Sequence, residues 1–356
     1  MTTPGEQPAF AAGGVPAWPW AAPGWVVAPP APKPGTVPLR PLDLGDIVSG
    51  VLATVRRYPG SLYYPLLVVA LGCAGLFSGC AGLAYAEVGP LPASHRMTDH
   101  QLVGLTVASA VLVVLFMLLA VIASAITSAV GTVVVGHAVL GHPLTARQAW
   151  SRARGHVWRV VGVQLLAAIA ALGILVGSLL PSVLLYFVAS PIAAAYGLLL
   201  LVPGLGGAVY VGVRLVLAVP VLVLEEQRPV AALRRAWQLN RGAWWRSLGI
   251  PYLVRMIGDL AVRVAMTVLA MAVSRLLASD SLDGAQAGLS IWLSEAGFTM
   301  LVLVVCLAVA LLMAVRAPLA PLSYGLLYLD RRLRLEDLGP TLAAAAGTGR
   351  TFGHGW

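Results

Sequence analysis

Four ionisable residues stand inside long apolar stretches of this 356-residue chain: Arg214, and Arg255, Asp259 and Arg263 at intervals of four. Intervals of four place the last three on one helical face. An ionised side chain at bilayer depth costs at least about 2.5 kcal/mol unless it is paired or hydrated. These residues could therefore form a structural salt-bridge network, or a polar path for a proton, an ion or a lipid headgroup. Counting inward from the edges near Leu224 and Leu248 puts Arg214 and Asp259 at matching depth, and predicts that they face each other.

A second set of residues is repeated. Residues 149–162, AWSRARGHVWRVVG, align without gaps to residues 236–249, AWQLNRGAWWRSLG, with seven identities in fourteen positions. Trp150, Arg154, Trp158 and Arg159 in the first copy correspond to Trp237, Arg241, Trp245 and Arg246 in the second. The pattern predicts short amphipathic helices lying flat at the membrane surface, with Trp rings at the interface and Arg meeting lipid phosphate. Thr145 and Gln148 have the spacing of a capping box, and Gly155 and Gly242 are expected to release each flat helix into the next span. A weaker third copy is read at 41–62, where Leu44, Ile47, Val51 and Val55 keep helical spacing.

Other chemistry is poorly provided for. Cys73, Cys80 and Cys306 lie in apolar blocks without CxxC or Cys/His ligand spacing. His95, Asp99 and His100 are close in sequence, but Arg96 between them opposes a cation; His137 and His142 read as polar interface residues. No HEXXH, GxSxG, Walker A or dinucleotide-binding motif occurs. The expectation is no catalytic residue, no metal and no cofactor.

The elements that must hold these residues follow from composition. Hydrophobic residues make up 59% of the chain and charged ones 10%, against about 25% charged in soluble proteins. The chain reads as an all-α, polytopic membrane protein with about six transmembrane helices, at 62–85, 102–131, 160–188, 192–224, 248–273 and 291–315. Gly204, Gly206 and Gly207 then serve close helix packing. Eighteen Lys and Arg residues fall in segments assigned to the cytoplasm, against Arg96 and Arg275 outside, which places both termini in the cytoplasm of a plasma-membrane protein. The net charge of +9 fits anionic lipid as partner better than nucleic acid, because the cations border apolar spans and alternate with Trp.

Organisation follows. Residues 1–41 hold eleven of the 25 prolines and read as a disordered tail, able to meet a protein partner; 42–335 form the membrane domain, and 336–356 a flexible tail. Internal repeats at about 42–140, 143–226 and 229–330 each comprise an amphipathic helix and two spans.

Three stretches, KPGTVPLRPLDLGDIVSG, RLVLAVPVLVLEEQRPVAALRRAWQLNRGAWWRSLG and PLSYGLLYLDRRLRLEDL, resemble an actinobacterial membrane-protein family related to the glycerophosphoryl diester phosphodiesterase membrane domain. The likeness covers roughly residues 34–340. It implies a polytopic helical domain, sometimes fused to a soluble phosphodiesterase, with no established activity of its own and no catalytic residues to transfer. The functional expectation is a non-catalytic module that organises membrane, contacts lipid or binds a partner. A transporter or channel using the intramembrane charges, and a membrane-embedded enzyme acting on phosphodiester lipids, are the alternatives.

Overall fold

The computed structural model describes residues 34–88, 99–188, 198–278 and 295–336. Every regular element among them is helical. In chain order the α-helices are α1 (Leu44–Arg57), α2 (Pro59–Val88), α3 (Asp99–Leu140), α4 (Ala146–Arg154), α5 (Val157–Val188), α6 (Leu201–Leu215, preceded by a 3-10 turn at Leu198–Leu200), α7 (Ala218–Leu224), α8 (Pro229–Leu239), α9 (Trp244–Ala278), α10 (Glu295–Arg316) and α11 (Leu319–Leu335). A short helix followed by long ones thus recurs three times, beginning at α1, α4 and α8.

Local sequence accounts for these starts. Thr145 Oγ1 accepts the Gln148 N–H while Gln148 Oε1 accepts the Thr145 N–H, so the expected capping box opens α4. The Asp46 carboxylate accepts the Asp43 N–H ahead of α1, and Pro229, which needs no donor there, begins α8. Of the two glycines expected to turn the chain, only Gly242 has a positive φ, 75°, whereas Gly155 stays right-handed.

Among the described residues, five segments are long and apolar enough to cross a membrane: Pro59–Glu87, Asp99–Leu140, Val157–Val188, Leu201–Leu224 and Leu303–Leu335. The span expected at 248–273 falls on α9, which is not among these five, and 192–197 and 291–294 of the other expected spans lie outside the described residues. Val107, Val114, Phe116 and Leu118 on α3, with Ile169 and Leu172 on α5, are exposed. Helices with outer faces this apolar suit a lipid surround. Of the three glycines expected to serve close packing, a Cβ on Gly204 would clash with Ser178 Oγ of α5 and one on Gly207 would lie 3.2 Å from Ile174, whereas one on Gly206 would meet nothing.

The buried core lies toward one end. α3 has 42 residues, about 63 Å of helix, roughly twice the bilayer's apolar thickness. Its half from Ala125 to Leu140 is largely buried, and so are most of α7 and α11. These three inner helices pack on one another. Gly131 abuts Pro321 and Gly325 abuts Val135, so α3 and α11 run parallel and end together at what we call the base. Each short helix then packs on an inner helix: α4 on α3, α8 on α7, and α1 on α11. Each first long helix reaches the next short one: α2 to α4, α5 to α8, and α9 to α1. The contacts are cyclic, although the chain is not.

Closure requires the segment before α1. Thr36 donates its N–H to the Ala138 carbonyl at 3.0 Å, satisfying a C-terminal carbonyl of α3, and Val37, Leu39 and Leu42 are buried. Residues 34–41 were expected in the tail; they instead form a packed strap across the base, because a helix end and an apolar groove are available to cover. The expected C-terminal tail also begins later, since Glu336 is ion-paired, and 1–33 and 337–356 lie outside the described residues.

The strap is tight at Gly35, where a Cβ would lie 2.1 Å from the Ala138 carbonyl oxygen, while a Cβ on Gly45 meets nothing. Gly35→Ala is expected to destabilise the protein by about 1–3 kcal/mol, with Gly45→Ala within about 0.5 kcal/mol of wild type. Unfolding of the two purified variants in detergent checks the contrast.

Candidate functional site

The C-terminal half of α11, Tyr328 to Leu335, carries a dense run of polar side chains to the base. Asp330 is fully buried. Its Oδ1 accepts the Leu42 N–H at 2.9 Å and Arg334 Nε at 2.8 Å; its Oδ2 accepts Arg246 Nη2 at 3.4 Å. The same two arginines donate to the Leu42 carbonyl, each at 2.9 Å. One strap residue is therefore held through both its backbone groups by α11 and α9. A buried carboxylate costs several kcal/mol to desolvate, and these charge-assisted bonds compensate it.

Beside this clasp a second network ties α11 to α7 and α8. Buried Tyr328 donates to Glu225 at 2.7 Å and accepts from Arg332 at 3.1 Å. Arg332 Nε donates to Glu336 at 2.6 Å, and Arg235 pairs with both Glu336 and Glu225. Burial raises the Glu336 carboxyl, but the bond and charge of Arg332, then those of Arg235, outweigh it and hold the group below the ordinary glutamate value.

Between the α8–α9 turn and α11 lies a cavity of about 260 Å³, lined by Gly242, Ala243, Trp244, Trp245, Arg246, Arg331 and Arg334. Gly242, with its positive φ, lets the chain reverse so that the first turn of α9 borders the cavity. Arg331 is only 8% exposed, and its Nε and Nη2 are buried without a protein acceptor. Arg246 Nε and the Trp244 indole N–H are likewise buried and unpartnered. Three of the residues that line the cavity thus carry donor nitrogens without a protein acceptor.

The residues anticipated from sequence are distributed differently. Arg214 donates to Tyr210 Oη at 2.8 and 3.0 Å and to the Trp237 carbonyl at 3.4 Å, and lies over the Trp237 ring. Asp259 pairs with Arg316 at 2.6 Å. The expected Arg214–Asp259 pair is not formed. The depth count started from Leu224 as though 218–224 crossed lipid, but that stretch is α7, buried in protein, and Arg214 sits just before the break preceding it. Arg255 and Arg263 share an outward face of α9 with Asp259 and have no ion-pair partner among the described residues.

Of the repeated residues, Trp158 and Trp245 are 76% and 78% exposed, and Arg154, Arg159 and Arg241 are also exposed. Trp150 is partly exposed at 37%. Trp237 packs instead with Tyr210 and Arg214, and Arg246, expected to face headgroups, is drawn into the Asp330 clasp. The apolar faces of the short helices, such as Ala149 and Ala153 or Ala232 and Ala236, are covered by protein and not by lipid. His137 is buried against Val133 and Arg152, not placed at an interface. His95 lies outside the described residues.

Sequence reasoning did not single out Asp330, Arg331, Arg334 or Leu42. The available signal was one acid set among arginines directly after the apolar run LSYGLLYL. The clasp and its neighbour draw on three separate stretches of the chain: Leu42 from 33–50, Glu225, Arg235 and Arg246 from 214–249, and Tyr328 to Glu336 from 321–338. No protein-family model matches the chain, and no curated protein or solved structure is significantly similar to it.

Two outcomes test this geometry. In double-mutant cycles, Asp259→Ala with Arg316→Ala should show coupling of roughly 0.5–1 kcal/mol, whereas Arg214→Ala with Asp259→Ala should add within about 0.5 kcal/mol. Glu336, its pKa depressed on folding, contributes stability above the unfolded value of about 4.3 and loses it as pH falls through the lower folded value. The melting-temperature gap between wild type and Glu336→Gln in detergent should therefore persist from pH 7 to about 5, narrow as the pH falls below about 4.3, and close below the folded value.

Proposed function

We propose that this chain is a non-catalytic, multi-pass protein of the plasma membrane that contacts lipid and organises the membrane around it or a protein partner. The observation that carries the reading is its division of surface. Long helices expose apolar faces, whereas the base exposes arginine and tryptophan at repeated positions, Arg154 and Trp158 in one copy and Arg241 and Trp245 in the other. Tryptophan beside arginine suits a headgroup layer.

In this reading α9 supplies the sixth span, and three units of one short and two long helices close around α3, α7 and α11. The cyclic contacts support that organisation. The base is cytoplasmic, supported by the eighteen-to-two distribution of cations. Arg255, Asp259 and Arg263 then lie where α9 leaves the base, level with Arg316, and not at mid-bilayer. A transport route through Arg214 and these residues lacks a shared path, because Arg214 is engaged at α8 and the others face outward. The relation to the phosphodiesterase membrane-domain family is part of the proposal, supported by the convergence of the three resembling stretches at one site.

Cysteines introduced at Ser94 and Ser281 should react with an impermeant reagent added outside cells, and one at Ser151 should not; the reverse pattern defeats the orientation. Lipid co-purifying with the protein should be enriched in phosphatidylglycerol, and Arg154→Gln with Arg241→Gln should reduce that enrichment severalfold. Unchanged enrichment removes the lipid-contact reading.

A further inference from the structure

We infer that the cavity between the α8–α9 turn and α11 is a binding site for a phosphate group. The inference deepens the lipid-contact reading, from which it takes the setting of the base beside a phospholipid surface, but neither Arg154 nor Arg241 lines the cavity.

Charge balance carries the argument. Arg246, Arg331 and Arg334 line the cavity. Asp330 is the carboxylate bonded to Arg246 and Arg334, and those two arginines and the Leu42 N–H take its oxygens. Arg331 points no hydrogen bond at any of them; its Nε and Nη2 are buried without an acceptor although the residue is more than nine-tenths enclosed. Leaving a buried guanidinium without an acceptor is costly, and that cost falls if Arg331 turns a donor toward an anion in the cavity it lines. The other features point to the same ligand. The Trp244 indole N–H and Arg246 Nε add further unpartnered donors. Trp244 opens a helix of 35 residues, whose first-turn N–H groups and dipole favour an anion at that end. Planar guanidinium forks match the oxygens of phosphate.

Size and position narrow the source. About 260 Å³ falls below the 300–1,000 Å³ of drug-sized sites and accommodates a phosphate group with little attached. Trp245, 78% exposed, borders the cavity, so an interfacial ring stands at its rim. The two sources of such a phosphate are an anionic phospholipid headgroup and a soluble phosphate compound, and both are tested below.

The test uses the full chain purified in dodecyl maltoside. Thermal unfolding is followed with inorganic phosphate against chloride and acetate at matched ionic strength, and separately in micelles doped with phosphatidylglycerol or phosphatidylcholine. Wild type should be stabilised by several degrees by phosphate, by phosphatidylglycerol, or by both; a response to phosphatidylglycerol alone assigns the headgroup, and one to inorganic phosphate assigns a soluble source. Arg331→Gln should abolish the response while melting, without added anion, at or above the wild-type temperature, since it removes a buried charge that has no hydrogen-bond acceptor. Arg331→Lys should recover part of the response. Broadening of the inorganic phosphate ³¹P resonance by wild type and not by Arg331→Gln gives a readout independent of stability. Equal stabilisation by acetate, retention of the response in Arg331→Gln, or no response to either phosphate source overturns the site. If it fails while phosphatidylglycerol enrichment still depends on Arg154 and Arg241, the broader lipid-contact reading stands without it.

Discussion

The buried carboxylate of Asp330 holds the N-terminal strap to the C-terminal inner helix, and the closure of the base depends on it. It receives one backbone N–H and two guanidiniums, and those guanidiniums also receive the carbonyl of the same strap residue, Leu42. Such a group is stabilising only as a set. Removing one member leaves the others desolvated without compensation, which typically costs about 3–5 kcal/mol. The contact joins residues 288 positions apart, so it closes almost the whole described chain.

That closure explains why the core lies where it does. In lipid, apolar side chains gain little by leaving the surround, so the outer halves of the long helices need only fit one another through small residues such as Gly204. At the base, α3, α7 and α11 leave that setting and must bury their surfaces in protein, under the short helices and the strap. Polar groups enter at this level because there each can be paired: Tyr328 with Glu225, Asn240 with the Val213 carbonyl, Arg214 with Tyr210. Arg331 Nε and Nη2, Trp244 Nε1, Arg246 Nε and His142 Nε2 depart from this rule, and all but the last belong to residues that line the cavity.

The repeat has a physical counterpart in burial. Ala149 and Ala236, Ala153 and Asn240, Val160 and Ser247, and Val163 and Ile250 are all buried, while Trp158 and Trp245 are both exposed. Two copies with matching faces have nevertheless acquired different duties. Arg159 is exposed, while its mate Arg246 has Asp330 within reach. The difference arises from the neighbour and not from the segment itself.

Composition, apolar run length and the Arg/Trp repeat were sufficient to establish an all-helical chain with helices of membrane-spanning length, the short amphipathic helices and the α4 capping box, because these are set by residues within a few positions of one another. The partners of the charged residues were not legible. Arg214 and Asp259 have suitable types and a plausible count of turns between them, but the break before α7 changed the depth from which that count begins, and Arg316, 57 residues on, took the carboxylate. Asp330, Leu42 and Arg246 are scattered along the chain and carry no local pattern; only the cyclic packing of three parallel inner helices brings them together, because electrostatic pairing depends on distance in space, which sequence separation does not encode.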